Sequence, residues 1–420
     1  MASDAHPATE AAPQPWGRLR ALHSRSFRRW FVGHCVSQSG FFAQSIALGV
    51  LVLETTDSAF AVSVVAAIQY LPIVVIGPFA GVIGDRFDRR FTLAVIQLTG
   101  MIEAVALTLL VVLDATTYWL LLVVAAAIGV TFSFDQPIRR SLITDLVPVD
   151  SLVNAVSLAG TVGALAKVIG PAIGAVTTSA LGVEWTFGFN AASSVVLIAA
   201  LWSIGGSESG QLLAAETSAR RLLGDTLRYI RVTAPVKVSF LCLAALSVFA
   251  YNWDLMLLLL TDRSLGGGAG TYGLLTSCFG VGALAGTFTV ASRPAPSHTQ
   301  ISRWTIWYGL SCVAVGLASP VAPVAATCVL AGVLLIPVFI GVTTLAQTTS
   351  EPTMRARMMS FFSVIFIGGQ AVGALLMGAL AELVGVRSAI AAGGATVAAA
   401  GAALTRSARA TLTSEPKEPA

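Results

Sequence analysis

Three ionisable side chains stand deep inside apolar stretches of this sequence: Glu103 in GMIEAVALTLL, Lys167 in GALAKVIGP and Asp254 in AYNWDLMLLLL. At the centre of a membrane-spanning helix such a group costs about 2.5–3.5 kcal/mol, so it stays where it binds, pairs or titrates. A carboxyl shielded from bulk water carries a proton. A lysine attracts an anion or pairs with a carboxylate. Glu103, Lys167 and Asp254 are therefore candidates for proton coupling or for meeting substrate charge, against the plainer alternative of structural pairs. Asp135, in FSFDQPIRR beside Arg139 and Arg140, reads as a surface ion pair. His34 titrates near neutral pH, and it serves equally well as a satisfied structural histidine.

Uncharged polar residues in the same stretches, Gln38, Gln44, Gln69 and Gln370, are candidates to line a cavity, as are Tyr251, Asn252 and Trp253 beside Asp254. Phe41, Phe42 and Phe366 suit either a bulky, partly apolar ligand or a lipid-facing surface.

The elements that hold these residues follow from composition. Of 420 residues, 55% are hydrophobic and 11% charged, against about 25% charged in a soluble domain. A bilayer solvates such a chain if its backbone groups are paired, which points to transmembrane helices. About 20 apolar residues cross the roughly 30 Å hydrocarbon core. Twelve segments qualify, at about 29–53, 59–82, 92–113, 117–135, 153–180, 185–204, 237–260, 271–291, 304–319, 322–345, 358–383 and 387–405. The expected fold is an all-α integral membrane protein with twelve transmembrane helices in two six-helix halves.

Lysines and arginines collect on the cytoplasmic side of membrane helices. With twelve spans, 22 of the 25 fall in the termini and the loops on one side; only Arg263 and Arg387 lie opposite, and Lys167 is within a span. The net charge of +4 therefore serves topology, with both termini in the cytoplasm, and not nucleic-acid binding. The expected divisions are a disordered tail at 1–27, a first half at 28–204, a linker at 205–236, a second half at 237–405 and a tail at 406–420. In the linker, Leu222, Leu223, Leu227 and Ile230 alternate with arginines at helical spacing, as in a helix on the lipid surface. A shift of 203 residues lays 157–183 on 360–386, matching Ser157 with Ser360, Gly170 with Gly373, Gly182 with Gly385 and Val183 with Val386, and setting Lys167 against Gln370.

Nothing in the sequence calls for a cofactor. The five cysteines lie in apolar segments without C-x-x-C spacing, the four histidines are scattered, and there is no phosphate-binding loop or metal-ligand cluster. A membrane enzyme acting on lipid substrates would gather such groups at one membrane face.

Between spans two and three lies GVIGDRFDRR. Gly81 and Gly84 permit close helix approach. Asp85, Arg86, Arg89 and Arg90 can form ion pairs made in one arrangement of the halves and broken in another, a conformational latch. This G-x-x-x-D-R-x-x-R-R pattern on a twelve-span chain resembles the major facilitator superfamily, with Asp88 where that family usually has glycine. LITDLVPVDSLVNAVSL (142–158) and RARMMS (355–360) resemble its siderophore- and macrolide-exporting branch. GPAIGA (Gly170, Pro171, Gly174) resembles the drug/proton antiporter signature, with Ala175 replacing its last glycine. The resemblance implies a monomeric secondary transporter in the cell membrane, moving a small molecule outward against inward protons by alternating access. An importer or uniporter of the same fold is the alternative.

Overall fold

The computed structural model describes residues 17–84, 87–204, 234–291, 297–348 and 355–413. Among them there is no strand. After a 3₁₀ turn at Gly17–His23, the helices of the first half are α1 (Arg25–Thr56), α2 (Ala59–Gly84), α3 (Arg89–Val112), α4 (Tyr118–Leu146), α5 (Leu152–Leu181) and α6 (Val183–Ser203). In the second half α7 is broken into α7a (Ala234–Phe249) and α7b (Trp253–Leu260). It is followed by α8 (Ala269–Ala291), α9 (His298–Leu317), α10 (Val321–Thr348), α11 (Arg355–Val384) and α12 (Val386–Thr413). Among the described residues ten stretches are long and apolar enough to cross a membrane; α8 and α9 complete the expected twelve.

Two boundaries differ from expectation. Helix α1 begins within the expected N-terminal tail because Ser24 caps it, accepting from the Phe27 N–H at 3.3 Å and donating to the Leu146 carbonyl at 2.7 Å. At the other end α12 runs on to Thr413, into the expected C-terminal tail. The linker reading falls mostly on residues 205–233, outside the described set, and Ala234 already belongs to α7a.

The halves repeat each other. In the first, α1 packs on α5 and α6, α2 on α4, and α3 on α4 and α6; in the second, six helices on, α7a packs on α11 and α12, α8 on α10, and α9 on α10 and α12. The glycines matched by the 203-residue shift share a physical role. Gly182 and Gly385 have φ of 110° and 86°, a region open to glycine, and each turns the chain straight into the next helix. Between the halves the main packing is α2 on α11 and α5 on α8, a pair that the repeat exchanges with itself. These inter-half contacts run from the arginine-poor end, where Ser63 lies against Gly378, to about mid-helix, where Val168 lies against Gly280.

Candidate functional site

Polar groups within the membrane-length helices gather in two places, one buried and one open. The first is inside the first half, where a chain of hydrogen bonds joins α1, α3 and α4. Arg139 donates to both oxygens of Asp135, from Nε at 2.9 Å and Nη2 at 2.5 Å. Its Nη1 lies 2.6 Å from His34 Nδ1; since arginine only donates, that nitrogen accepts. Gln97 donates to Asp135 at 3.1 Å and receives a bond from Ser37 at 2.9 Å. His34 stacks on Trp30 with ring centroids 4.8 Å apart. The Asp135–Arg139 pair is thus buried, at 5% exposure for each residue, and not on the surface as expected. Position in the chain placed it near the helix end, but its face of α4 turns into the bundle.

Deeper in the same half, Glu103 accepts a bond from Thr131 at 2.6 Å, and Asn190 donates to Gln44 at 2.8 Å. A cavity of ≈ 50 Å³ lies between these groups, bordered by Gln38, Phe41, Glu103, Asp135, Asn190 and Ser194. Glu103, Gln38 and Gln44 therefore face the interior of one half.

The second place lies between the halves. Lys167 on α5 and Asp254 on α7b both have open side chains, and each lies within electrostatic reach of the other. No direct ion pair joins them among the described residues. The Lys167 ammonium sits 5.8 Å from the centroid of the Phe42 ring on α1 and also lies beside Tyr251. Tyr70 on α2 and Tyr272 on α8 approach Asp254 as well, and the Tyr272 hydroxyl donates to the Asp254 carbonyl at 2.8 Å. Tyr251 meets Phe366 edge-on at 4.5 Å, and Phe339 lies 5.0 Å from Phe366 and 5.5 Å from Phe362.

The break in α7 positions this cluster. With its amide oriented so that both atoms are satisfied, Asn252 donates to the Gln370 carbonyl and accepts from the Ala374 N–H, each at 3.3 Å. That ties the break to α11. Gln370, the repeat partner of Lys167, is buried, with its amide 3.5 Å from the Phe366 carbonyl. Trp253, expected on the cavity wall, points into the second half, where it borders a cavity of ≈ 20 Å³ with Asn252, donates to the Tyr308 hydroxyl at 2.9 Å and packs 4.8 Å from Phe279. Gln69 is half-buried, and its carbonyl faces Gly129 on α4.

Of the other expected residues, those described act in caps, ion pairs and packing. Asp85 and Arg86 lie outside the described residues, and Gly81 falls in the last turn of α2. Asp88, in the position usual for glycine, caps α3 by accepting from the Phe91 N–H at 2.7 Å. Arg89 is buried and donates to both oxygens of Asp145 on α4, at 2.9 and 3.1 Å; this pair joins helices of one half. Arg90 is half-buried at the start of α3. In α5, Gly170 and Gly174 let the helix lie on α1, where added Cβ atoms would come within 2.6 Å of Phe42 and 2.7 Å of Ala43. Pro171 and Ala175, next to them, face Gly273 of α8 across the inter-half contact.

The sequence reading missed Gln97, Asn190 and Thr131, and Tyr70 and Tyr272. Gln97 and Asn190 were visible as amides in apolar spans, but the tyrosines carry no such signal, because a tyrosine in a membrane helix is ordinary.

Among the described residues, two repeated sets of six helices with lone charges at their junction suit a membrane transporter, and the chain belongs to the major facilitator superfamily of transporters. More narrowly, the chain belongs to the transmembrane secretion effector family, whose model matches residues 16–419. It is 23% identical over 268 residues to the uncharacterized MFS-type transporter YfiS of Bacillus subtilis, covering 63% of this chain and 62% of the relative. It is 25% identical over 158 residues to the staphyloferrin A transporter of Staphylococcus aureus, covering 37% of this chain and 38% of that one. With macrolide efflux protein A of Streptococcus pyogenes it shares 24% over 149 residues, covering 36% and 37%. The matches thus span less than two thirds of each relative's length.

The fold is also that of a bacterial homologue of the human lysosomal transporter Spinster in an inward-facing, unoccupied conformation, at TM-score 0.72 and 13% identity over 97% of this chain and all of that one. A D-xylose–proton symporter matches at TM-score 0.71 and 12% identity, over 90% and 96%.

Proposed function

We propose that the protein exports a small, partly apolar organic compound across the cell membrane in exchange for protons, working as a monomer by alternating access. Both termini, and the arginine-rich end of the bundle, lie on the cytoplasmic side. The observation that carries this reading is Lys167 and Asp254: opposite charges on opposite halves, open and not paired to each other, at the junction that alternating access must make and break. Their protonation and ligand contacts bear directly on how the halves meet. Inter-half packing at the arginine-poor end supports an arrangement open toward the cytoplasm, and the similarity to staphyloferrin A and macrolide transporters supports export. Glu103, enclosed in the first half, is the second carboxyl able to carry a proton. Asp85, Arg86 and Arg90 form the cytoplasmic latch, Arg89 being held to Asp145 within the first half, and exposed arginines of that end such as Arg25 and Arg28 meet lipid headgroups.

The test starts from a compound to which a deletion strain loses tolerance. Everted vesicles are expected to accumulate it against a gradient, to stop when an uncoupler is added, and to fail with Asp254→Asn or Lys167→Met. Accumulation indifferent to the uncoupler would remove proton exchange from the reading. If Asp254→Asn accumulates normally while Glu103→Gln does not, the proton is carried in the first half.

A further inference from the structure

The central charges also indicate what kind of molecule they receive, an argument that rests on the exchange reading above. Among the described residues neither charge has an ion-pair partner, and the bond that Lys167 makes to the Tyr251 hydroxyl leaves its charge unmatched. Lys167 has the Phe42 ring beneath it and Tyr251 beside it. Around Asp254 the titratable groups are Lys167 from α5, Tyr70 from α2, Tyr251 from the α7 break and Tyr272 from α8. Tyr272 is directed to the Asp254 backbone carbonyl, not to its carboxylate. Among the described residues the result is one cation and one anion without ion-pair partners, both open at the junction of the halves, with Tyr251 beside Lys167 leading to Phe366, Phe339 and Phe362.

We infer that this opening binds a zwitterion with an aromatic or similarly apolar body, its acid group on Lys167 and its ammonium on Asp254. A simple anion would take Lys167 and leave Asp254 facing a second negative charge. A simple cation would take Asp254 and leave Lys167 facing a second positive one. A dipolar ligand satisfies both groups and leaves no desolvated charge unpaired.

The same geometry fixes the sense of coupling. A proton on Asp254 removes the partner of the ligand's ammonium, so proton and zwitterion exclude each other, and by linkage each lowers the affinity of the other. Mutual exclusion at one site is the requirement for exchange. An anion on Lys167 would instead favour a proton on Asp254, so that the two would travel together. The ligand's dipole and the direction of transport are thus linked through one carboxylate.

The test uses purified full-length protein in lipid nanodiscs and three probes of matched size: phenylalanine, phenylalaninamide and N-acetylphenylalanine. The same three forms of the dipeptide phenylalanyl-phenylalanine extend the set. Titration calorimetry at fixed pH and ionic strength is expected to show the zwitterion binding about tenfold tighter, or more, than either singly charged form. Lys167→Met should bring the amide level with the zwitterion, and Asp254→Asn should do the same for the N-acetyl form. In weakly buffered solution zwitterion binding should release protons. The inference is overturned if a singly charged probe binds wild type as well as the zwitterion does, if neither zwitterion binds, or if both variants weaken all three forms equally. Uncoupler-sensitive export without a zwitterion preference sinks this inference alone, and a zwitterion preference without proton exchange sinks the exchange reading alone.

Discussion

The two polar regions of this molecule treat charge in opposite ways. Inside the first half, Arg139, Asp135, His34, Gln97 and Ser37 form a closed chain in which donors meet acceptors and side chains are buried. Between the halves, Lys167 and Asp254 stand open, with no ion pair to any described residue. A buried charge is tolerated when it is paired, and the paired set then fixes how α1, α3 and α4 lie together. An open pair of charges does little to hold anything together, and remains available to a ligand. Burial with full pairing marks structure here, and exposure without pairing marks function.

The largest expected effect tests that division. Arg139→Met leaves Asp135 buried without its partner, which should cost about 3–5 kcal/mol. Loss of monodisperse protein in detergent, or a steep fall in unfolding midpoint, would register it. Lys167→Met, a chemically identical change in the open region, should move the midpoint little, within the roughly 0.5 kcal/mol typical of sites without such partners. Adding Asp135→Leu to Arg139→Met should recover much of the loss, since an apolar pair can replace a buried ionic one. Equal midpoints for Arg139→Met and Lys167→Met would erase the distinction between the regions.

Much of this was legible from the chain alone. Twelve spans, the two halves and their repeat follow from apolar run length and arginine placement, because a bilayer imposes both directly. Lys167 and Asp254 stood out because lone charges in apolar runs are expensive. What could not be read was which way a side chain faces. Asp135 faces the bundle and not the surface, and the cavities that Gln38, Gln44 and Trp253 border lie each within one half, which their spacing in the chain does not tell. Helical periodicity carries little information where all faces are apolar, because both lipid and protein neighbours accept the same residues. The two arginines that break the charge rule also needed coordinates. Arg263 binds the carboxylate and carbonyl of Asp57 across the junction, and Arg387 donates to the carbonyls of Gly316 and Ala318. Both are held by hydrogen bonds at the end where topology alone would leave a lysine or arginine out.

A middle-sized effect sharpens the comparison at the wall of the open region. A methyl group on Gly273 would overlap that of Ala175 across the α5–α8 contact. Gly273→Ala should therefore cost about 1–3 kcal/mol, as overpacking of a tight contact does. Ala175→Gly moves the methyl from one side of the contact to the other, so the double variant should recover most of the loss. Thermal unfolding of the four proteins gives the coupling energy directly. Additive losses would show that the halves are not in contact at this level, and the open region would then lack the floor on which its charges rest.

The smallest effect lies at the far rim, where Arg263, in the turn Thr261–Leu265 that follows α7b, meets Asp57 at the end of α1 at 2.8 Å. Asp57 is 88% exposed and Arg263 37%, so water competes with the pair and its worth is about 0.2–1 kcal/mol. Unlike the Asp135–Arg139 pair, this one can be broken without leaving a buried charge, which suits a contact that alternating access must open on every cycle. Arg263→Gln should shift the balance between closed and open rims by no more than about fivefold, read as distance populations between spin labels on the α1–α2 and α7–α8 turns. High salt should produce a similar shift in the wild type and little further change in the variant, because it screens the same attraction. A large, salt-independent opening would mean that Arg263 holds the rim through its bond to the Asp57 carbonyl, and the contrast between fixed interior pairs and labile junction charges would have to be redrawn there.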